Sequence, residues 1–293
     1  MSRVLLDMSS ASRWLFARRM TILVLGATGK TGSRLVETLR ASGSAVRAAS
    51  RSGEVRFDWS SPDTWGPAVD GAHAVYLLAP QDPAAAGVFV KQAVQAGVGR
   101  FVALSGREID RFPSQYFQGM RAAEEAVRDS GAEWTIIRPN NFSQNFSAPD
   151  IWGGPLVSGE LALPMDSTPE PFIDTQDIAD VAAVLLTSDG HHGQVYDLSG
   201  PRAISFASAV ATIAAAAGRP MRFVESSPSE YRASLLAVGA SEGEAEELNA
   251  LYAGMRSGLY TVPADGVQRV LGREPIDFET FAMRAAEAGA WQR

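Results

Sequence analysis

The stretch Thr21-Ile22-Leu23-Val24-Leu25-Gly26-Ala27-Thr28-Gly29-Lys30-Thr31-Gly32 decides the fold: an apolar run that breaks into three glycines spaced three apart. Thr21 to Leu25 is short and uncharged, which predicts a strand buried on both faces of a parallel sheet. Ser33 to Ala41 then carries Leu35, Val36 and Leu39 on one side, and Gly43 stands where a left-handed cap belongs, so a helix follows. Strand, glycine turn and helix bring free N–H groups and the positive end of a helix dipole to one point, as a pyrophosphate site requires. Glycine is needed there because a Cβ would obstruct the turn or hold the phosphate away. Gly26, Gly29 and Gly32, with Thr28, Lys30 and Thr31 between them, are therefore candidate dinucleotide-binding residues.

The next strand, Ala45 to Arg51, ends about 20 residues past the glycines, where an NAD-preferring site offers Asp or Glu to the ribose hydroxyls. This chain offers Ser50 and Arg51. A guanidinium there pairs with a 2′-phosphate, which favours NADP(H) over NAD(H). The alternative for Arg51 is a solvated loop charge. Asp58, after a short strand near Glu54 to Phe57, has two readings: an adenine contact, or a turn residue bonding its own backbone.

The chain has 293 residues with 46% hydrophobic content, enough for a nucleotide-binding domain and an appended lobe. A net charge of -7 argues against a nucleic-acid surface. With no cysteine, disulfides and thiolate chemistry are excluded. His73, His191 and His192 have no metal-ligand spacing, and the adjacent pair reads as solvated. No apolar run reaches transmembrane length, so a cytoplasmic protein without membrane contact is expected. Residues 1–19 carry Arg3, Arg13, Arg18 and Arg19 against Asp7 alone, and are expected to be a flexible extension outside the fold.

Further along, Ala74 to Leu78 predicts a strand whose edge reaches Ala79 and Pro80, beside the nicotinamide ribose in a doubly wound sheet. Asp82-Pro83 opens a helix that Gly97 ends. Phe101 to Ser105 predicts a strand with Ser105 at its C-terminal end, where chemistry belongs in this architecture. A helix over Gln115 to Asp129 and a strand over Trp134 to Ile137 follow. That strand runs into Arg138 to Phe146, dense in amides and aromatics; Asn141, Phe142 and Gln144 are candidate substrate contacts, against an amide-bonded turn. Pro149 to Pro171 reads as a crossover, Asp174 as a helix cap, and Gln194 to Leu198 as a strand returning to the sheet. The expected architecture is α/β: a Rossmann-type doubly wound parallel sheet over 20–150, and a smaller C-terminal substrate lobe over 151–293, within which 172–200 rejoins the sheet.

The glycine stretch, Leu104-Ser105-Gly106, Arg138-Pro139-Asn140-Asn141-Phe142 and Phe172-Ile173-Asp174-Thr175-Gln176-Asp177-Ile178-Ala179 together resemble the NmrA-like branch of the atypical short-chain dehydrogenase/reductase superfamily. The resemblance covers about residues 20 to 290. Within the branch the chain is most similar to bacterial NAD(P)H-binding proteins grouped with ergot-alkaloid reductases that act on iminium intermediates, and more loosely to quinone or azo-dye reductases. The branch also contains redox sensors that bind nucleotide without turnover.

One departure matters. Ordinary members of the superfamily use Tyr-x-x-x-Lys, the lysine enabling the tyrosine to protonate a carbonyl oxygen. Here the matching segment is Tyr116-Phe117-Gln118-Gly119-Met120. Tyr116 and Ser105 are the candidate catalytic residues, and Tyr116, Asn141, Phe142, Gln144 and Tyr260 the candidate substrate pocket. The resemblance implies an NADPH-dependent reductase that passes hydride to a small activated acceptor: an imine or iminium, a quinone or a conjugated carbonyl. A non-catalytic NADP(H)-binding sensor is the competing expectation, and a homodimer the assembly left open.

Overall fold

The structure is a computed structural model and describes residues 20–292; the extension expected over 1–19 lies outside the described residues. The first strand, β1 (Thr21–Leu25), leads through the glycine turn into α1 (Gly32–Ala41) and then β2 (Ala45–Ser50) and β3 (Val55–Arg56). α2 (Trp65–Val69), β4 (Ala74–Leu78), α3 (Pro83–Gln95), β5 (Arg100–Leu104), α4 (Gln118–Arg128) and β6 (Glu133–Pro139) continue the alternation. After α5 (Gly153–Ser158) and β7 (Glu160–Leu163), α6 (Thr175–Thr187) and β8 (Gln194–Leu198) return to the first sheet. The chain ends with α7 (Phe206–Ala217), β9 (Arg222–Glu225), α8 (Pro228–Ala237), α9 (Glu242–Arg256), α10 (Gly266–Leu271) and α11 (Phe278–Glu287).

Seven strands form one parallel sheet in the order β3-β2-β1-β4-β5-β6-β8, a Rossmann-type doubly wound arrangement. Its central strands are buried on both faces, which is why β1 and β4 read as continuous apolar runs. α1 and α6 cover one face through Leu35, Leu39, Ile178 and Leu185. Trp65, Phe89, Val90 and Val127 from α2, α3 and α4 cover the other. A third apolar cluster, around Phe146, Trp152, Phe172, Phe206, Phe278 and Trp291, builds the C-terminal lobe, whose own sheet is the parallel pair β7–β9.

Local signals set most boundaries. Asp82, Asp174, Ser205 and Asp277 cap α3, α6, α7 and α11 by accepting backbone N–H groups, and Ser227 and Ser241 form capping boxes on α8 and α9. Gly43, beyond α1, has φ +83°. Two stretches depart from expectation. The Gly- and Pro-rich 149–171 segment contains α5 and β7, because Leu161 and Leu163 alternate into the lobe core and pair with β9. α4 begins at Gln118, three residues later than predicted, because Phe117 takes a left-handed φ of +55° that a helix cannot continue through. The histidines are structural partners: His73 and His192 Nδ1 accept the Thr21 and Trp134 N–H groups at 3.2 Å, and His191 Nδ1 lies 2.9 Å from the Tyr196 hydroxyl. His192 is exposed, as expected for the adjacent pair, while His191 is half-buried.

Candidate functional site

The sheet order reverses between β1 and β4, and the glycine turn stands at that edge. Gly26 has φ +65°, and a Cβ there would meet Leu78 Cδ1 at 2.4 Å. A Cβ on Gly29 would stand 3.2 Å from the Gly26 carbonyl oxygen, and one on Gly32 only 2.2 Å away. The turn is held by Gly29 N–H donating to Gly26 O (2.8 Å) and Ala27 N–H to Ala49 O (3.0 Å). Thr28 and Gly29 are exposed, leaving a shallow cradle at the α1 N-terminus. Its shape and dipole fit a dinucleotide pyrophosphate. Thr31 is buried, with its hydroxyl accepting from Tyr76 OH at 3.1 Å, so only its backbone can serve such a ligand.

Arg51 is exposed directly after β2, and Arg56 is exposed on β3 in register with Ser50. Both lie close to Asp58, whose carboxyl is held below its usual range by hydrogen bonds from the Ser60 hydroxyl and N–H and, to a lesser extent, by these two guanidiniums. Asp58 is a turn residue: its Oδ1 accepts Ser60 N–H at 2.9 Å and Ser60 Oγ at 2.7 Å. The Ser50 hydroxyl is buried and has no partner among the described residues, and Gly53 covers it so closely that a Cβ there would come within 2.7 Å. The charge available to a 2′-phosphate is thus Arg51 together with Arg56. The second was not singled out in the sequence because the pairing of β3 with β2 is what places it. Ala79 and Pro80 follow β4; Pro80 is buried, with its carbonyl against Gly119, where a Cβ would be 1.9 Å away. Gly119 therefore lets α4 start against the end of β4.

Beside the cradle lies a cavity of about 340 Å³ between the C-terminal ends of β5 and β6 and the lobe. Of the residues expected at a site, Lys30, Ser105, Asn141, Phe142 and Tyr260 line it. Ile109, Phe112, Phe117, Met120, Ile151 and Leu251 supply its apolar wall, and Arg107, Asn140, Asn145 and Glu170 its other polar side chains. Lys30 Nζ donates to Asn145 Oδ1 at 3.1 Å; burial lowers its affinity for a proton, partly offset by Asp150. Burial also pushes the Tyr260 phenol well up.

Two expected substrate residues are placed elsewhere. Gln144 is buried, its Nε2 donating to Asp174 Oδ1 and its Oε1 accepting Thr175 N–H, both at 2.8 Å, so it fixes the start of α6. Tyr116 is half-buried and outside the cavity lining; the left-handed Phe117 turns the next residues inward in its place. The Phe117 N–H donates to Glu247 Oε2 at 3.2 Å, which ties this rim to α9. Tyr116→Phe is accordingly expected to leave kcat within about twofold; a fall of ~100-fold, the scale of a lost general acid, would restore Tyr116 to the chemistry.

The Ser105 hydroxyl is buried and, among the described residues, makes no hydrogen bond of ordinary geometry, its near neighbour being the Glu124 carboxylate. Glu124 receives Arg138 Nε at 2.8 Å and Nη2 at 2.6 Å, while Arg128 reaches it at 2.8 Å. Burial works to raise the Glu124 carboxyl, but Arg138 and its neighbours hold it below the usual range. This cluster pins β6 to α4 behind the cavity. Sequence reasoning also missed Glu170 and Arg107. Glu170 is 2% exposed and its Oε1 accepts Asn140 Nδ2 (3.2 Å), Asn141 N–H (3.1 Å) and Asn141 Nδ2 (2.9 Å). Arg107 Nη1 donates to Asn140 Oδ1 at 2.9 Å and Val262 O at 2.8 Å. Among the described residues no group of His, Asp or Glu has the arrangement of a metal site, and no helix is long and apolar enough to cross a membrane.

Residues 26–189 match the family model described as NAD(P)H-binding. The chain is 31% identical over 284 residues to an NAD(P)H azoreductase of Xenophilus azovorans, covering 91% of this chain and 98% of that protein. It is 30% identical over 292 residues to festuclavine synthase I of Penicillium roqueforti, covering 90% and 97%. The fold matches an NADPH-dependent quinone oxidoreductase of Escherichia coli, solved with NADPH, at a TM-score of 0.72 and 20% identity, covering 90% of this chain and 99% of the other. With that match over more than half of its length, the chain belongs to the NAD(P)H-binding family, and its fold is also that of NmrA, at 17% identity and a TM-score of 0.69.

Proposed function

We propose that this NAD(P)H-dependent oxidoreductase prefers NADPH and delivers hydride to a small activated organic acceptor: an imine or iminium, a quinone or a conjugated carbonyl. The observation that carries the reading is the cavity beside the glycine cradle, walled mainly by apolar side chains and sharing Lys30 with it. Bound there, the reduced nicotinamide supplies the hydride. The protein's part is to hold the acceptor within about 3–3.5 Å of the donor carbon and to exclude water. Phe117, Phe142 and Tyr260 suit a flat conjugated acceptor. Met120, where ordinary members of the superfamily carry lysine, favours acceptors that need no tyrosine acid. The azo and quinone chemistry in the relatives' names supports the same class.

Arg51 and Arg56 support the cofactor preference. Arg51→Ala is expected to weaken NADPH binding about 10- to 100-fold, the worth of one charge-assisted hydrogen bond, while NADH binding stays unchanged. Fluorescence titration with both nucleotides checks it; equal losses for the two would remove Arg51 from the phosphate.

The reductase reading is tested by following NADPH oxidation against cyclic iminium ions, quinones, azo dyes and enones. Turnover of at least one class supports it. Tight NADPH binding with no turnover would transfer the protein to the sensor reading.

A further inference from the structure

Resting on that reading, we propose that Glu170 is the proton donor for neutral acceptors, delivering a proton from Oε2 to the acceptor heteroatom as hydride reaches its carbon. Glu170 lines the acceptor cavity and is itself almost wholly buried. Its two oxygens are unequally bonded. Oε1 accepts three N–H contacts, from Asn140 Nδ2, Asn141 N and Asn141 Nδ2. Oε2 has a single partner, Asn141 Nδ2 at 3.1 Å, which Oε1 already shares. Oε2 is thus the oxygen with the fewer N–H donors, the one with room to carry a proton toward the cavity.

The surroundings fit both protonation states. Burial pushes the carboxyl above the usual glutamate range, so the acid form persists to higher pH. The Asn141 and Asn140 donors and the Arg107 charge pull the other way, and receive the anion once the proton has left. The other titratable groups facing it are the Tyr252 and Tyr260 phenols, both pushed up by burial and so neutral. Lys30 also reaches the cavity, but its ammonium is bound to Asn145.

The bookkeeping of bonds is simple. Hydride adds to the acceptor carbon, the π pair moves to oxygen, and that oxygen takes the proton as the O–H bond of Glu170 breaks. The acceptor is reduced, the nicotinamide oxidised, and solvent returns the proton to the carboxylate after product leaves. An iminium ion needs no such proton, because its nitrogen becomes neutral when the carbon accepts hydride.

The test compares wild type with Glu170→Gln on a quinone, an enone and a preformed N-alkyl iminium ion, with NADPH titration and thermal melting to verify the fold. The expected result is a fall of about 100-fold in kcat on the quinone and enone, with turnover of the iminium ion retained. Equal turnover by the two proteins on the neutral acceptors overturns the proposal, as does wild-type turnover confined to the iminium ion. A wild type inert on every acceptor defeats the reductase reading itself. Two measurements on wild type remain decisive even if Glu170→Gln fails to fold. Infrared spectroscopy of the nucleotide-free protein near pH 7 should show a protonated carboxylic acid, and quinone turnover should fall as pH rises while iminium turnover stays level. Absence of that infrared band, or parallel pH profiles for the two acceptors, overturns the assignment.

Discussion

Gly29→Asp is expected to weaken nucleotide binding by at least ~100-fold while shifting the melting temperature by no more than about 2 °C. Two effects add. The new Cβ would stand 3.2 Å from the Gly26 carbonyl, tighter than side-chain contacts ordinarily run, so the cradle must widen. The carboxylate would then face the pyrophosphate across a short gap, and like-charge juxtaposition costs several kcal/mol, each 1.4 of which is about tenfold in affinity. Stability is spared because Gly29 is exposed and its φ lies outside the left-handed region. Titration with NADPH beside a melting curve separates the two effects. Undiminished binding would mean that the pyrophosphate lies elsewhere.

Glu124→Ala is expected to act on the fold, destabilising it by about 3 kcal/mol and lowering the melting temperature by about 6–10 °C. Glu124 is 3% exposed, and two guanidiniums converge on it; removing it leaves Arg138, 13% exposed, without its main partner. Arg138 keeps Asp110 at 2.8 Å, but that carboxylate is exposed and compensates little. Glu124 also sets an acid limit. Its folded-state carboxyl lies below the unfolded value near 4.5, so its contribution is complete above that value and is lost as pH falls through the lower, folded one. Chemical denaturation at pH 7 and in this acid window checks both: the difference between wild type and variant should shrink as the pH falls. A difference of under 1 kcal/mol at pH 7 would mean that the cluster is as weak as a surface pair.

Local patterns carried much of the fold. Thr21–Leu25 and Ala74–Leu78 have bounds that follow directly from their apolar runs, and Ser227 and Ser241 start helices through capping chemistry contained within four residues. The strand, glycine turn and helix of the cradle were legible for the same reason: they are contiguous. The acceptor cavity was only partly so. Ser105, Asn141 and Phe142 follow strand ends, so topology points to them. Tyr116 falls outside the cavity lining because a single left-handed residue, Phe117, changes the direction of the chain before α4, and nothing in its side chain announces that. Gln144 sits in the expected loop, but its amide matches Asp174 and Thr175, about 30 residues away. Glu170 lies between Pro169 and Pro171 in a stretch that reads as a connection. Its importance comes from Asn140 and Asn141, 30 and 29 residues distant, and from burial that no local pattern encodes.

Direct passage of hydride from the nicotinamide to an acceptor held in the cavity is the step on which the proposed reaction depends most. NADPH carrying deuterium at both C4 positions, incubated with the protein and an iminium ion or enone it turns over, gives the answer by mass spectrometry, because the new C–D bond does not exchange with water. One deuterium on the acceptor carbon is the predicted result, lost with Gly29→Asp. Oxidised nucleotide alongside a product without deuterium at carbon would contradict direct hydride delivery.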